Sequence, residues 1–209
     1  MQLVAFVGTQ SSGKNTAASV LIDHGFLPFS FADPLKDALA VMFRWPRDML
    51  EGITPESRIW RERVDPWWAE RLGISDFSPR YAMRYFGTLV RSEFNKALWV
   101  FNVEHRLSEL PLDQRVVLID IRYPNEIALV RRLGGHIEQI KRGEDPWWLY
   151  AARMVFAEPD TVRRQSMIQG LQMLVHDSEW AWLECGVDGV TTNDGTILDL
   201  QAKIANKFF

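Results

Sequence analysis

The sequence lacks the features that mark disulfide-stabilised, membrane-spanning and nucleic-acid-binding proteins. It holds a single cysteine, Cys185, so no internal disulfide can form. No apolar run reaches the roughly 20 residues that cross a bilayer, and the first residues are typical of a strand, not of a signal peptide. The formal net charge is -3, without the basic excess of a general nucleic-acid binder. We therefore expect a cytoplasmic protein whose partner is a small molecule, neither a nucleic acid polymer nor a membrane.

What the sequence does contain is an alternation of short apolar strands and helical segments. Its 209 residues, 47% of them hydrophobic, can bury a full core, and this size favours one domain over residues 1–209. Strands separated by helical crossovers indicate a parallel sheet covered on both faces. The expected class is therefore α/β, with five parallel strands flanked by helices. Strands are expected at 3–7, 27–31, 115–120, 136–141 and 187–192, and helices at 14–24, 34–43, 54–72, 79–109 (two helices), 124–133 and 196–207.

The segment GTQSSGKNT at residues 8–16 has the spacing of a phosphate-binding loop. Gly8, Gly13 and Lys14 follow the first strand and open the first helix. In that context backbone N–H groups converge on phosphate oxygens, and Lys14 neutralises the β- and γ-phosphates. The alternative is an ordinary glycine-rich turn, but the complete match in its required context favours a nucleotide site. The residues expected at the nucleotide are Gly8, Ser11, Ser12, Gly13, Lys14, Asn15 and Thr16.

The residue after the loop lysine departs from the usual pattern. Asn15 stands where such loops usually place the Ser or Thr that meets the magnesium ion. Its amide oxygen can reach the metal or a metal-bound water, and Thr16 supplies a hydroxyl near the phosphates. Mg²⁺ commonly keeps several waters and needs no dedicated protein cage. The substitution therefore weakens the magnesium assignment and leaves the phosphate assignment intact.

The loop and five further segments resemble a known family. Gly-Lys-Asn-Thr is similar to the loop of nucleoside monophosphate kinases, where Gly-Lys-x-Thr is usual. Together with the other segments, in this order, it resembles the bacteriophage deoxynucleoside monophosphate kinases. The resemblance covers most of the chain and is weak at 44–78 and 143–175. The five segments are FADPLKDALA at 31–40, MRYFGTLVR at 83–91, VLIDIRYPNE at 117–126, HDSE at 176–179 and TTNDGTILDL at 191–200.

This resemblance implies a fold, a reaction and a location. The fold is that of the P-loop kinases, with a helical acceptor-binding region at about 34–110 and a helical lid at about 143–176. The reaction is transfer of the γ-phosphoryl group of ATP to a deoxynucleoside monophosphate (dNMP), with magnesium. The location is the host cell cytoplasm, if a phage encodes the chain. Asn193 and Asp194, in the last segment, are expected at the nucleotide, and a homodimer is left open.

Phosphoryl transfer needs positioning and charge neutralisation more than it needs a covalent nucleophile. Asp120 ends a buried strand, where its carboxylate can orient magnesium through water, and Arg122 follows two residues later. Both are expected at the catalytic site. The alternative for Asp120 is an N-cap of the helix after Pro124. Glu126 is spaced to pair with Arg122, and its role on the substrate side stays open.

The lid is expected to bring arginines to the transferring phosphoryl group. Arg142 and Arg153 are the first candidates as catalytic residues. An exposed basic helix explains Arg163 and Arg164 equally well. Glu179 marks the end of the lid and receives no role from the sequence.

A second set of residues is expected to bind the acceptor phosphate. Arg84 and Arg91 lie seven residues apart, so on a continuous helix they share a face, and Gly87 between them allows close approach. Thr88 lies next to Gly87 and is included in the set. A dianionic phosphate satisfies two guanidinium groups with charge-assisted bonds. The alternative is a basic helix face in solvent, and the resemblance favours the acceptor site.

The start of the second helix offers two further acceptor candidates. Asp33 follows the second strand and is expected to cap this helix, with Lys36 in its first turn. Lys36 is explained equally well as a ligand of the acceptor phosphate and as a solvated side chain. One of Trp60, Trp67 and Trp68 could stack on the acceptor base.

Two other functions compete with the dNMP kinase. One is a P-loop kinase for another small molecule, such as a sugar acid or a coenzyme precursor, which the loop alone does not exclude. The other is a regulatory NTPase. Such a switch is expected to carry a magnesium-sensing hydroxyl at position 15, where this chain has Asn15.

Overall fold

The fold is built on one sheet in which all neighbouring strands are parallel. The computed structural model describes all 209 residues. The strands are β1 (Gln2–Val7), β2 (Leu27–Phe29), β3 (Arg115–Leu118), β4 (His136–Lys141) and β5 (Gly189–Thr192). Their order is β2-β3-β1-β4-β5, so β1 is central and the loop after it leaves from the middle of the sheet. The α/β class with five parallel strands is confirmed, and β2, β3 and β5 are shorter than expected.

Ten α-helices and four short helical turns connect the strands. The helices are α1 (Lys14–Asp23), α2 (Asp33–Phe43), α3 (Pro55–Glu62), α4 (Pro66–Leu72), α5 (Pro79–Leu89), α6 (Leu98–Ser108), α7 (Pro124–Arg132), α8 (Trp147–Ala157), α9 (Thr161–Leu174) and α10 (Ile197–Phe208). The turns are Met49–Glu51, Asp177–Glu179 and Ala181–Cys185, which are 3₁₀, and Val90–Phe94, which is π-helical.

Two helix boundaries differ from the expectation. Asp33, expected as the N-cap of α2, is the first residue of that helix, and Ala32 holds the cap position. The segment 54–72 forms two helices, because Asp65 caps α4 by accepting a hydrogen bond from Trp68 N at 3.2 Å. The polar and tryptophan-rich stretch is therefore interrupted at its middle.

The chain divides into two compact units, of which the larger comprises residues 1–30 and 106–209. In its sheet, Val4 and Phe6 of β1 face a cluster that includes Leu21 of α1 and Ile204 of α10. Leu3 points to the opposite face, where α7 packs against the sheet. Helices thus cover both faces, as the continuous apolar strands require. Each fully buried side chain of this kind contributes about 1.5–3 kcal/mol.

The second unit, residues 31–105, is helical and has an aromatic core. The Phe43 ring is stacked on Trp45 at 4.6 Å between centroids and lies edge-on to Trp68 at 5.1 Å. Both indole N–H groups are satisfied: Trp45 donates to Asp65 and Trp68 donates to the Phe43 carbonyl. This unit covers most of the region that the resemblance assigns to the acceptor.

Helices α8 and α9 occupy most of the expected lid region and have their own small core within the larger unit. Ala152, Val155, Leu171 and Trp180 are buried there together. Across the whole chain, no helix combines the length and the apolar character that crossing a membrane demands.

Candidate active site

The loop between β1 and α1 adopts a backbone conformation that ordinary side chains avoid. Gly8 and Gly13 have φ of 140° and 105°, and Ser11 has φ of 62°. A left-handed conformation at a residue such as Ser11 costs on the order of 1–3 kcal/mol and is typical of functional sites. Lys14 opens α1, and its Nζ donates to the carbonyls of Gly8 (2.8 Å) and Thr9 (2.7 Å). The ammonium group therefore lies against the loop, next to the cradle that phosphates are expected to fill.

Asn193, directly after β5, holds the loop in place. Its buried Nδ2 donates to the Ser12 carbonyl at 2.8 Å, and its backbone N–H donates to the Lys141 carbonyl at 2.7 Å. Gly13 lies against the same amide, so a Cβ at position 13 would collide with Asn193. Ser12 Oγ is buried and has no hydrogen-bond partner. Asn193 was predicted to lie at the nucleotide, and the structure shows it bound to the loop at residues 8–16, where the other nucleotide contacts were predicted.

The electrostatics of the loop centre on Lys14. Burial, and after it the positive charge of Arg122, lower the pKa of Lys14 to about 8, against the opposing effect of Glu179 and Asp120. These interactions bring together in space one lysine, one arginine and two carboxylates from three separate segments of the larger unit. Such a clustering of charge around a phosphate-binding loop is suited to phosphoryl transfer.

Asp120 lies at the carboxyl-terminal edge of the sheet. It follows β3, and Ser30, which follows the neighbouring β2, donates from Oγ to Asp120 Oδ2 at 2.5 Å. Asp120 does not cap α7, because Tyr123 holds that position. The alternative that Asp120 is the N-cap of α7 is therefore wrong. Its carboxylate lies where parallel α/β sheets commonly bind ligands.

The structure gives Glu126, whose role the sequence left open, a place at the start of α7. It is 1% exposed, and its Oε2 accepts hydrogen bonds from the backbone N–H groups of Arg122 (2.7 Å) and Tyr123 (3.1 Å). Glu126 does pair with Arg122, but through the backbone N–H of that residue. Glu126 therefore shapes the start of α7 and fixes the backbone that carries Arg122, and its burial argues against direct contact with a substrate.

The first lid candidate, Arg142, lies just after β4. Its side chain is exposed. The next residue, Gly143, donates its N–H to Asp194 Oδ1 at 2.8 Å. Asp194, expected at the nucleotide, thus joins the loop after β5 to the start of the lid.

The second lid candidate, Arg153 of α8, is engaged in an ion pair. Its Nη1 lies 2.6 Å from Asp145 Oδ2, and Lys141 Nζ lies 3.3 Å from the other oxygen. Burial raises the pKa of Asp145, but Arg153 and Lys141 outweigh it and hold that pKa below its usual range. Arg153 would have to exchange this carboxylate for a phosphate in order to act on one. Arg163 pairs with Glu158 at 3.3 Å, as an exposed structural arginine would.

In the smaller unit, Lys36 is neither solvated nor free. It is 8% exposed, and its Nζ lies 2.6 Å from Glu51 Oε2 and 3.7 Å from Asp33 Oδ1. Arg47 also pairs with Glu51 and with Asp33. Burial alone raises the pKa of Glu51, yet Lys36 and Arg47 hold it below its usual range. The solvated interpretation of Lys36 is wrong, and its charge is already balanced by carboxylates.

The predicted acceptor arginines lie on either side of a change in helix type. Arg84 is exposed on α5, whereas Arg91 lies in the π-helical turn that directly follows α5, so the regular α-helix assumed for their shared face ends between them. Arg91 Nη1 reaches the Lys96 carbonyl at 3.5 Å. Gly87 admits Leu35 of α2, because a Cβ there would lie 3.3 Å from Leu35 Cδ2. Thr88 is exposed beside it.

The three tryptophans considered for base stacking differ in how far they are buried. Trp60 and Trp68 pack against the aromatic core of the smaller unit. Trp67 is 52% exposed, and the guanidinium of Arg71 lies 3.9 Å from its ring centroid. Trp67 is thus the most exposed of the three rings, and the guanidinium of Arg71 lies over it.

The residues around the loop suit a magnesium ion that keeps most of its waters. Asp120 supplies a carboxylate, Ser30 a hydroxyl next to it, and Asn15 an exposed amide. No group of three or more His, Cys, Asp or Glu side chains is arranged as a metal cage. This donor set fits Mg²⁺ held through water between protein and phosphates. Sequence reasoning did not assign Ser30 or Glu179 to the site. The available signals were the position of Ser30 directly after β2 and the presence of Glu179 in the HDSE segment.

These features define a class. A glycine-rich loop that joins the central strand of a parallel sheet to α1, with Lys14 at its end and Asp120 and Arg122 beside it, is the arrangement typical of a P-loop kinase. A protein of Acanthamoeba polyphaga mimivirus named "Putative deoxynucleotide monophosphate kinase" is 33% identical over 154 residues, which are 68% of this chain and 75% of that protein. The chain belongs to the family of deoxynucleotide monophosphate kinases. No protein-family model matches it.

Two solved structures share the fold at lower similarity. One is TT1252 from Thermus thermophilus, with 18% identity, a TM-score of 0.43 and coverage of 100% of this chain and 98% of that one. The other is a dephospho-CoA kinase from Campylobacter jejuni, with 12% identity, a TM-score of 0.46 and coverage of 99% and 96%. Neither likeness bears on which substrate this chain accepts.

Proposed function

We propose that the protein transfers the γ-phosphoryl group of ATP to a deoxynucleoside monophosphate and releases a deoxynucleoside diphosphate and ADP. The observation that carries this proposal is the convergence of Arg122, Asp120 and Glu179 on Lys14 at a complete phosphate-binding loop. The relationship to the mimivirus protein supports the choice of acceptor. We further propose that the protein works as a small-molecule enzyme in the cytoplasm, without a nucleic acid polymer or a membrane as partner.

On the donor side, the chain supplies a preformed cradle and fixed positive charge. The loop backbone receives the β-phosphate at the start of α1, and Lys14 leaves the Gly8 and Thr9 carbonyls to bind the β- and γ-phosphates. Arg122 balances the charge that spreads over the transferring group. Magnesium, when bound, neutralises the phosphate oxygens, and Asp120 and Asn15 would hold it through its waters. No general base is needed, because the acceptor phosphate is already an anion.

On the acceptor side, we place the monophosphate in the smaller unit. Arg84 is exposed and Arg91 is half-buried in a π-helical turn, a feature that often accompanies functional sites. Lys36 is a weaker candidate, since Glu51 and Asp33 already balance its charge. Its position suits a residue that holds Asp33 in place.

A panel of acceptors tests this proposal. ADP release is measured with ATP and magnesium against the four deoxynucleoside monophosphates, the matching ribonucleotides, dephospho-CoA, a sugar acid and no acceptor. Turnover with one or more dNMPs, lost in Lys14→Ala, is the expected result. Turnover only with dephospho-CoA or the sugar acid would replace the proposal by another small-molecule kinase, and slow hydrolysis without any acceptor would indicate a regulatory NTPase.

A further inference from the structure

A four-residue segment at the end of the lid region lies against the candidate catalytic arginine. Arg122 donates from Nη1 to Ser178 Oγ at 3.3 Å and to Glu179 Oε1 at 3.4 Å. The neighbouring Tyr123 donates from its hydroxyl to Asp177 Oδ1 at 3.1 Å. The HDSE segment, residues 176–179, thus contacts both residues that precede α7.

The way in which Arg122 is held leaves most of its guanidinium group available. Both contacts use Nη1 alone and are long, and the Arg122 side chain is 46% exposed. A guanidinium can bind two oxygens with one edge while another nitrogen keeps a different partner. The geometry therefore orients Arg122 and leaves Nε and Nη2 for phosphate oxygens.

Glu179 is itself fixed from two sides. Trp182, which is 2% exposed, donates from Nε1 to the Glu179 carbonyl at 2.9 Å. The next residue, Trp180, is buried in the core formed by α8 and α9. The backbone of Glu179 therefore follows the position of the lid helices. Besides Arg122, its carboxylate acts on Lys14, which also interacts with Asp120.

We propose that Glu179, assisted by Ser178, is a positioning residue that orients the guanidinium of Arg122 toward the transferring phosphoryl group. Through Glu179, the orientation of Arg122 depends on the position of the lid helices. This inference rests on the proposed function for the role of Arg122. Glu179 touches neither nucleotide. It acts by limiting the rotamers of an arginine that would otherwise sample solvent.

The test is a double-mutant cycle between the two residues. Glu179→Gln keeps the size of the side chain and removes its charge, and Arg122→Ala removes the group that it positions. At pH 6.5, where Lys14 stays protonated even when the charge of Glu179 is removed, we expect Glu179→Gln to lower kcat about tenfold and to change either KM by less than about twofold. In the Arg122→Ala background the same substitution should change kcat by less than about twofold. Glu158→Gln, which removes a lid carboxylate paired with Arg163, is the matched control and should leave kcat unchanged.

Binding gives a readout that does not depend on the acceptor. Calorimetric titration with ADP and with a non-hydrolysable ATP analogue measures how strongly the site favours the γ-phosphate. Arg122→Ala and Glu179→Gln should both reduce that preference, and the double variant should be no worse than Arg122→Ala. If Glu179→Gln does not fold, as judged by thermal unfolding, Ser178→Ala takes its place, with an expected loss of about threefold.

The outcomes separate the two proposals. The parent protein could lack dNMP turnover and still bind the ATP analogue more tightly than ADP, with this preference reduced in both Glu179→Gln and Arg122→Ala. That result would overturn the acceptor assignment and support the positioning role. Equal losses from Glu179→Gln with and without Arg122 would overturn the positioning role, because Glu179 would then act directly. The positioning role is overturned as well if Glu179→Gln has no effect, or if Glu158→Gln lowers kcat equally.

Discussion

Nucleotide binding should take up a proton at alkaline pH, because the surroundings of Lys14 in the loop keep it partly neutral there. Burial and, after it, the positive charge of Arg122 lower the pKa of the Lys14 ammonium to about 8, although Glu179 and Asp120 act in the opposite direction. The β- and γ-phosphates of ATP carry several negative charges. Their arrival favours the protonated lysine and raises its pKa well above that of the free protein.

The size of the effect follows from the pKa of the free protein. With a value of about 8, about nine tenths of Lys14 is neutral at pH 9 and about a quarter at pH 7.5, so ATP binding should take up about those fractions of a proton. Because kcat/KM reports the free enzyme, its value for ATP should fall about tenfold between pH 7 and pH 9. The fall in kcat should be smaller, because kcat reports the bound form.

The assay is calorimetric titration of ATP in pairs of buffers that differ in ionisation enthalpy, which counts the protons taken up. Lys14→Arg is the control, because its guanidinium stays protonated over this range. Uptake at pH 9 should approach one proton in the parent and vanish in Lys14→Arg. An absence of uptake in the parent, or the same uptake in the variant, would refute the assignment of the titrating group to Lys14.

The same shift predicts how stability depends on pH. The folded protein loses the Lys14 proton near pH 8, whereas the unfolded chain keeps it to about 10.5. Between these values the unfolded state binds more protons, so this residue makes the free energy of unfolding rise with pH. Comparing denaturant unfolding of the parent and of Lys14→Met across this window isolates the contribution.

Three further predictions concern single positions. Gly13→Ala should weaken ATP binding at least about tenfold and lower the free energy of unfolding by about 2 kcal/mol, measured by titration and by urea denaturation, because the methyl group displaces Asn193 at a left-handed backbone position. Asn15→Ser should retain or improve turnover, which should still require Mg²⁺; full activity in a chelator would contradict this. Arg91→Ala should raise KM for the monophosphate about tenfold or more without changing that for ATP, whereas the exposed Arg63→Ala should change neither; a shift in the ATP value alone would move Arg91 to the donor side.

Much of the larger unit could be predicted because its signals are local in the chain. Residues 8–14 carry the loop pattern in consecutive positions, and the strands β1 and β3 are short apolar runs. The lengths of these segments leave little freedom in a parallel sheet with helical crossovers. The sequence was less reliable at helix ends, as at Asp33 and in the division of 54–72.

The acceptor side shows where the local signals were insufficient. A spacing of seven residues places Arg84 and Arg91 on one face only if the α-helix continues, and here α5 ends at Leu89 and Arg91 lies in a π-helical turn. Lys36 carries no local sign that Glu51, fifteen residues away, will pair with it. Burial and the choice of partner depend on how the helices pack, which periodicity does not specify.

What the sequence determined by itself is the α/β class with five parallel strands and a loop after the first strand with the spacing of a phosphate-binding loop. Only the tertiary structure decided which side chains serve that loop. Asp120 meets Ser30 across 90 residues, Glu179 meets Arg122 across 57, and Asn193 meets Ser12 across 181. A phosphate-binding loop is encoded in contiguous backbone preferences. A hydrogen bond between distant segments depends on placing two atoms within a few tenths of an ångström, and only the packed core fixes positions that closely.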